Sequence, residues 1–320
     1  VLPVHRAIFM RHNIRTLLSI LAIASASLAL PGCSDGSDRS PAPTEPEYLP
    51  IASPRVTLPP DEGSLNLLAL NFDLEEVGYQ QSEYFLEGRA TAFVNVNELD
   101  PEGNWEAEPA ESEDYKTRIV VYRPIDQADF NGTVLMEWLN VTAGFETPPS
   151  WGTGHLEMRR SGSVWVGVSA QFVGIEGSPN GLLPLHLKAA EPERYQSLLH
   201  PGDSFSYDMF SQAAQAVRNP SGIDPLDGLD VERIIAYGES QSAGRLTTYV
   251  NAIHPLFNAF DGYMIHSRGS GSSPLAQEPQ AGIPTPQASR VRTDLNVPVM
   301  TFATETEVVF LGFVNARQPD

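Results

Sequence analysis

The stretch YGESQSAGRL, residues 237–246, follows the apolar run VERIIAYG and leads into a helical pattern that ends near Pro255. A buried strand, a sharp turn that holds a serine and then a helix are the context of a nucleophile elbow, where small neighbours let strand and helix approach closely. The pattern small-x-Ser-x-small fits residues 238–242 and centres on Ser240. A frame centred on Ser242 would place the turn inside the helix. We therefore predict Ser240 as the nucleophile, with Ser242 in a position that glycine usually holds.

A structural alternative for the same stretch is a helix N-terminus rich in serine and glycine, since both residues cap helices well. The surrounding pattern favours the elbow, because short runs rich in Val and Ile, separated by helical stretches, predict βαβ units and a parallel sheet. These runs are GTVLMEWLNV, GSVWVGVSAQ, VERIIAYG, FDGYMIHS and VPVMTFAT. Upstream, SEYFLEGRATAFV and YKTRIVVYRP predict antiparallel strands that flank an acidic loop at residues 98–114. The predicted fold class is α/β, a doubly wound, mostly parallel sheet with antiparallel N-terminal strands.

Several segments in order resemble one family. FNGTVLMEWLNV, RSGSVWVGVSAQFVGI, ERYQSLLHPGDSFSYDMFSQA and YGESQSAGRLTTYVNAIHP together resemble the α/β-hydrolase domain family of the α/β-hydrolase superfamily, from about Glu83 onward. The resemblance implies the α/β-hydrolase fold, hydrolysis of a small-molecule ester through an acyl-enzyme, and no cofactor. It also implies that residues 172–199 contribute to the roof of the pocket. The alternative function is a non-catalytic, surface-anchored protein that binds a ligand on the same fold and keeps the motif for its turn.

The oxyanion of an acyl transfer needs hydrogen-bond donors that are already in place. In the elbow geometry the backbone N–H of Gln241 is one such donor. The second is expected in the loop after the strand TVLMEW, where Asn140 and Val141 are the candidates. Asn140 is equally suited to a simple turn.

The acid and the base of the triad should follow the nucleophile in the order Ser, Asp or Glu, His. The segment VPVMTFATETEVV places Glu307, with Glu305 as the alternative, after a strand. No histidine follows, since the seven histidines lie at positions 5, 12, 155, 186, 200, 254 and 266. We therefore expect this chain to lack the last strand and the histidine loop of the fold, and to be inactive or nearly so. Among the histidines present, His266 is the best placed to substitute as base, because it ends a predicted strand, but it comes in the wrong order. We otherwise interpret it as lining the pocket.

Composition excludes several other classes of protein. The chain has 20 basic and 40 acidic residues and a net charge of −20, which disfavours binding to nucleic acid. A single cysteine excludes intramolecular disulfides and multi-cysteine metal sites. Because no histidine pair has metal-ligand spacing and HExxH is absent, no metal is predicted.

The N-terminal segment MRHNIRTLLSILAIASASLALPGC has the order of an export signal, with arginines, then an apolar run, then small residues before Cys33. LPGC resembles a bacterial lipobox, so we predict lipidation of Cys33. The predicted organisation is a signal peptide at 1–32, in which 1–9 are upstream residues, a flexible tether at 33–54 and a hydrolase domain at 55–320 that is incomplete at its C-terminus. The expected location is the bacterial cell envelope, on the periplasmic side, with membrane contact through the lipid only. The alternative is a secreted or periplasmic protein.

Overall fold

Nine strands of one sheet lie in the residues that this computed structural model describes, 47–69, 72–178 and 183–318. The strands are β1 (Arg55–Thr57), β2 (Tyr79–Asn95), β3 (Ala107–Pro124), β4 (Thr133–Trp138), β5 (Val164–Val168), β6 (Ser221–Gly222), β7 (Arg233–Glu239), β8 (Gly262–His266) and β9 (Val299–Phe302). The helices are α1 (Pro149–Ser161), α2 (Phe172–Glu176), α3 (Leu187–Ala190), α4 (Pro192–Tyr195), α5 (Ser206–Arg218), α6 (Gln241–Thr248) and α7 (Glu305–Val309). A π-helical turn, Tyr249–Ile253, continues α6. The predictions for the signal peptide and for Cys33 fall outside the described residues.

The strand order across the sheet is β6-β1-β2-β3-β5-β4-β7-β8-β9. Strands β5, β4, β7, β8 and β9 are parallel neighbours, whereas β2 pairs antiparallel with both β1 and β3, and β3 pairs antiparallel with β5. The predicted fold class, with antiparallel N-terminal strands and a mostly parallel remainder, is confirmed. The carboxyl ends of β4, β5, β7 and β8 therefore meet at one edge of the sheet, where ligands bind in open α/β sheets.

Both faces of the central strands are covered by helices, because successive side chains of a strand point to opposite faces. On one face, Trp138 of β4 packs against Phe210 of α5, with ring centroids 4.7 Å apart. On the other face, Trp165 of β5 lies 6.0 Å from Trp151 of α1. All four side chains are buried. This two-sided burial explains why these strands are continuous apolar runs rather than alternating ones.

The hairpin of β2 and β3 is longer than the sequence pattern predicted. Asn95 pairs with Ala107, so residues 107–114, which were predicted as part of an acidic loop, belong to β3. Their side chains are mostly exposed on a two-stranded arm, most of whose buried side chains come from β2 through Ala90, Ala92 and Phe93. Residues 96–106 form the actual connection. A polar strand of this kind carries no apolar alternation, which is why it was interpreted as a loop.

The start of the domain also differs from the predicted boundary at residue 55. The backbone N–H of Leu49 donates to the carbonyl of Leu256 at 2.8 Å, and Ile51 packs against the main hydrophobic core. Tyr48 lies with its ring 6.5 Å from that of His254. The last residues of the predicted tether therefore lie against the domain.

Candidate active site

Ser240 lies between the end of β7 and the first residue of α6, with φ 57° and ψ −113°. A positive φ is uncommon for a residue with a side chain and costs about 1–3 kcal/mol at such positions. The turn is tight enough that a Cβ on Gly238 would lie 2.7 Å from the carbonyl oxygen of Ser242. Ser240 is exposed, and within the described residues its hydroxyl has no hydrogen-bond partner. These are the features expected of a nucleophile elbow.

Ser242 is fully buried and faces the backbone. Its hydroxyl donates to the carbonyl oxygen of Glu239 at 2.9 Å and accepts from the N–H of Glu239 at 3.0 Å. A hydroxyl that is committed in this way has no route to a substrate. The geometry thus fits the prediction that Ser240, not Ser242, is the nucleophile, and it gives Ser242 a role in closing the turn.

The two predicted oxyanion donors after β4 differ in what they contact. The backbone N–H of Asn140 donates to the carbonyl of Thr147 at 3.1 Å, so this donor is already engaged. The side-chain amide of Asn140 instead donates to the carbonyl of Glu239 at 2.9 Å. The N–H of Val141 has no partner in the described part of the chain, and the N–H of Gln241 opens helix α6, where no intrahelical acceptor exists. Val141 and Gln241 are therefore the donors left for an oxyanion.

A polar cluster of Tyr237, Glu239 and His266 lies beside the elbow. Glu239 and His266 are paired residues at the carboxyl ends of β7 and β8. The Tyr237 hydroxyl donates to Glu239 Oε2 at 2.8 Å, and His266 Nδ1 lies 3.0 Å from the same oxygen and 2.6 Å from the Tyr237 hydroxyl. Burial and the Glu239 carboxylate raise the pKa of Tyr237 well above its ordinary value. The sequence interpretation places His266 at the pocket and misses Glu239 and Tyr237. These two residues share one face of β7, and the register of β7 and β8 brings His266 to them.

Glu307, the predicted triad acid, lies on α7 with its side chain largely buried. Its Oε2 accepts hydrogen bonds from the backbone N–H and the hydroxyl of Thr304, each at 2.6 Å. The Thr304 side-chain and backbone hydrogen bonds, with a smaller effect of His266, lower the pKa of Glu307. Glu305, the alternative, is exposed in the first turn of the same helix. The Thr-x-x-Glu pattern is a capping box, a signal that the sequence already held.

A second carboxyl near the elbow was not predicted. Glu137 of β4 is fully buried and accepts hydrogen bonds from the N–H of Ser150 at 2.8 Å and from Trp165 Nε1 at 2.9 Å, as well as from the Ser150 hydroxyl. Burial raises the pKa of Glu137 to about 7. Glu137 pairs in register with Tyr237 of the neighbouring strand, so this carboxyl lies on the same face of the sheet as the polar cluster.

A cleft of about 590 Å³ lies beside the start of α2, which follows β5 in the chain. Its lining includes Phe172 and Asp203, and the N–H of Phe172 donates to the carboxylate of Asp203 at 2.7 Å. The residue before Phe172, Gln171, exchanges two side-chain amide hydrogen bonds with Gln241, at 2.6 and 3.1 Å. The start of α6 is thereby tied to the loop that borders the cleft. Phe172 and Val173, the first residues of the predicted roof segment 172–199, line this cleft.

In the described ranges, no group of three or more His, Cys, Asp or Glu side chains is arranged to hold a metal ion. Over the same residues, none of the helices has the length and hydropathy that a bilayer crossing needs.

Comparison with known proteins gives one family match that covers most of the chain. A family model described as an alpha/beta hydrolase domain matches residues 50–320. No curated protein matches the chain.

Solved structures that are similar to the chain include a fungal esterase from Rhizomucor miehei, with 14% identity over 57% of this chain and 46% of that chain, and a TM-score of 0.31. Brefeldin A esterase, a bacterial homologue of human hormone sensitive lipase, has 14% identity over 63% and 44% of the two chains, and a TM-score of 0.33. A thermophilic pNB esterase has 18% identity over 52% and 30%, and a TM-score of 0.30. The chain spans less than half of the length of each of these proteins.

Proposed function

The chain belongs to the alpha/beta hydrolase domain family, and on this premise we propose that the protein is a serine hydrolase of carboxylic esters that works through an acyl-enzyme. The observation that carries the proposal is the conformation of Ser240. This residue is exposed, has a positive φ and presents a hydroxyl that has no hydrogen-bond partner among the residues the structure describes, whereas the neighbouring Ser242 is buried and bonded to the backbone. A turn that keeps a serine in such a conformation stores strain that a structural helix cap does not require.

In the proposed reaction, the Ser240 hydroxyl oxygen attacks the ester carbonyl carbon while its proton passes to a base. The N–H groups of Gln241 and Val141 stabilise the oxyanion of the tetrahedral intermediate. The C–O bond to the alcohol breaks, the alcohol leaves with the proton, and water then hydrolyses the acyl-enzyme by the same steps. Glu307 is proposed to orient an imidazole base. No histidine lies between Glu307 and residue 320, and we assign the base to no residue of this sequence. The reaction needs no metal or cofactor.

The direct test is covalent labelling of the full-length protein with a fluorophosphonate probe. We expect stoichiometric labelling that is lost in Ser240→Ala. Ser242→Ala, two residues away, should reach the wild-type endpoint but more slowly, because it removes the hydroxyl that closes the turn. Labelling that survives Ser240→Ala would refute the assignment of the nucleophile. Hydrolysis of p-nitrophenyl acetate should follow the same pattern.

A second candidate function is non-catalytic binding of a ligand, in which the elbow is kept for its turn. It is favoured by one observation, that in the described ranges no histidine side chain is hydrogen-bonded to the Ser240 hydroxyl. Full-length protein that takes up no fluorophosphonate, and whose thermal midpoint rises with ester ligands equally in wild type and Ser240→Ala, would support this candidate over the hydrolase.

We also propose that the protein is anchored in the bacterial cell envelope through a lipid on Cys33, on the periplasmic side. The support is the order of the N-terminal sequence alone. Metabolic labelling with a palmitate analogue should mark the wild-type protein and not Cys33→Ala. A soluble periplasmic or secreted protein without label would indicate the alternative location.

A further inference from the structure

We propose that Tyr237, Glu239 and His266 form a positioning unit that holds the nucleophile elbow in its strained conformation. The proposal rests on the proposed function, because it concerns how Ser240 is kept ready to react. None of the three side chains is assigned to the acyl transfer itself. Their role is to fix the ends of β7 and β8 relative to each other, so that the Ser240 hydroxyl stays in one place.

Glu239 is the centre of the unit because its backbone and its side chain are both held. Its carbonyl oxygen accepts from the side-chain amide of Asn140 and from the hydroxyl of Ser242, each at 2.9 Å. Its N–H donates to the same Ser242 hydroxyl at 3.0 Å. Its carboxylate accepts from the Tyr237 hydroxyl at 2.8 Å and contacts His266 Nδ1 at 3.0 Å. The residue before the nucleophile is thus fixed from the loop after β4, from α6 and from β8.

His266 contacts the elbow twice. Its carbonyl oxygen accepts the backbone N–H of Ser240 at 3.0 Å, and its imidazole contacts the Glu239 carboxylate. The far side of the ring packs against Phe302 of β9, with centroids 5.0 Å apart. The next residue, Ser267, also has a positive φ, of 52°, and its N–H donates to the carbonyl of Phe302 at 2.8 Å. The end of β8 is therefore held by contacts to both β7 and β9. One backbone hydrogen bond, from the Ser240 N–H to the His266 carbonyl, connects Ser240 to this fixed strand end.

A residue keeps a strained conformation only when several surrounding contacts hold it in that conformation. Ser240 has one backbone bond on each side, from its N–H to His266 and from the N–H of Gly244 to its carbonyl at 3.3 Å. If the polar cluster is broken, we expect the turn to sample other conformations. A shift of about 1 Å in a reacting atom can lower the rate on the order of 100-fold.

Several titratable groups surround the His266 ring, and its Nδ1 atom contacts two of them. Glu239 and Tyr237 face its Nδ1 from β7, and Glu307 lies near it on α7. Glu137 of β4 lies beyond Glu239, whose negative charge adds to the effect of burial in raising the pKa of Glu137. The Nδ1 atom is engaged by Glu239 and Tyr237, and the hydrogen bond between His266 and Ser240 joins their backbones.

The test uses the full-length protein with Tyr237→Phe, Glu239→Gln and His266→Gln, and measures the rate constant and the endpoint of fluorophosphonate labelling from pH 5 to 9. We expect the rate constant to fall by about 10- to 100-fold in each variant, with an unchanged KM for p-nitrophenyl acetate and an unchanged labelling endpoint. The Glu239→Gln, His266→Gln double variant should lose no more than the worse single variant, because both changes break one unit. A general loss of folded protein would instead lower the endpoint and leave the rate constant of the labelled fraction unchanged.

Matched controls come from a second tyrosine–histidine pair at the other end of β8. The Tyr263 hydroxyl lies 2.9 Å from His254 Nδ1, away from the elbow. Tyr263→Phe and His254→Gln should leave the rate constant of the folded fraction within about 2-fold of wild type. Tyr237→Phe removes a single hydroxyl and is the variant that keeps the test decisive if the other two fold poorly.

Three outcomes separate the proposals. If Ser240→Ala abolishes labelling and all three cluster variants react at the wild-type rate, the positioning unit is refuted and the serine hydrolase stands. If His266→Gln abolishes labelling as fully as Ser240→Ala while Glu239→Gln has little effect, His266 is the base and the positioning unit is again refuted. If Ser240→Ala remains fully labelled, Ser240 is not the nucleophile, and both the proposed function as assigned here and the positioning unit fail.

Discussion

Gly238 and Ser242 approach so closely at the elbow that any side chain on residue 238 would meet the backbone of residue 242, with a Cβ only 2.7 Å from the Ser242 carbonyl oxygen. Gly238→Ala must therefore separate the end of β7 from the first turn of α6. We expect a loss of about 1–3 kcal/mol in the free energy of unfolding and a large loss of Ser240 labelling. Urea denaturation and fluorophosphonate labelling measure the two effects.

The matched control for this change is Gly152, which is exposed in α1 and whose added Cβ would meet nothing within 4 Å. Gly152→Ala should leave labelling unchanged and stabilise the protein by about 0.5–1 kcal/mol, because alanine is the better helix former. Equal losses in the two variants would contradict the close approach seen at Gly238.

Arg118 joins three elements through a fully buried ionic cluster. Its guanidinium contacts Glu83 at 2.8 Å and Glu146 at 2.7 Å, and all three side chains are almost completely buried. Arg118→Met would leave the buried Glu146 carboxylate without its ionic partner and Glu83 paired with Arg194 alone, and we expect a loss of about 3–5 kcal/mol measured by urea denaturation. Arg160→Met, which removes an exposed ion pair with Glu157, should give no measurable change.

Because its pKa is raised on folding, Glu137 makes the free energy of unfolding fall as the pH rises, the opposite of the usual effect of a carboxyl group. Its pKa rises from an ordinary value of 4.5 to about 7 in the folded protein. At a pH between 4.5 and 7, the folded state therefore keeps a proton that the unfolded state has released. This contribution is fully present below pH 4.5 and is lost as the pH rises to 7. Its size is on the order of 3 kcal/mol.

We therefore expect Glu137→Gln to flatten the fall in unfolding free energy between pH 5 and pH 8, as measured by urea denaturation at each pH. Glu111→Gln, at an exposed carboxyl of the β2–β3 arm, should leave the profile of the wild type unchanged. A wild-type profile that Glu137→Gln does not alter would show that the Glu137 carboxyl is ionised throughout this range.

Glu307 and Glu305 can be separated by one pair of isosteric changes. If Glu307 is the triad acid, Glu307→Gln should reduce turnover of p-nitrophenyl acetate by about a thousand-fold or more, as loss of a triad carboxylate does elsewhere. Stability should fall by no more than about 1 kcal/mol, since the amide oxygen can still accept the hydrogen bonds from Thr304. Glu305→Gln should change neither. A larger effect at Glu305 would reassign the acid.

The sequence was sufficient for those features that depend on local pattern. The apolar runs predicted β4, β5, β7, β8 and β9, and the small residues around Ser240 predicted the elbow. The order of motifs predicted the family. These features follow from side-chain periodicity and turn chemistry within one segment.

Features that depend on strand register were missed. Glu239 and His266 are 27 residues apart and meet only because β7 and β8 pair in one particular register. Glu137 is a lone carboxyl in an apolar strand, and nothing in its neighbours shows that Ser150 and Trp165 will satisfy it. Asn140 was weighed as a backbone donor, whereas its contribution to the elbow comes from its side chain. Long-range pairing of polar groups leaves no periodic signal in the sequence.

The distribution of tryptophans gives the protein a set of internal optical probes. All four are buried, with Trp138 on one face of the sheet, Trp151 and Trp165 on the other and Trp105 in the connection between β2 and β3. Unfolding moves each indole from the core into water, so one emission spectrum follows both faces and the hairpin arm together. A single transition that coincides with loss of far-ultraviolet circular dichroism would show that the layers melt cooperatively, and a biphasic emission curve would show that one face opens first.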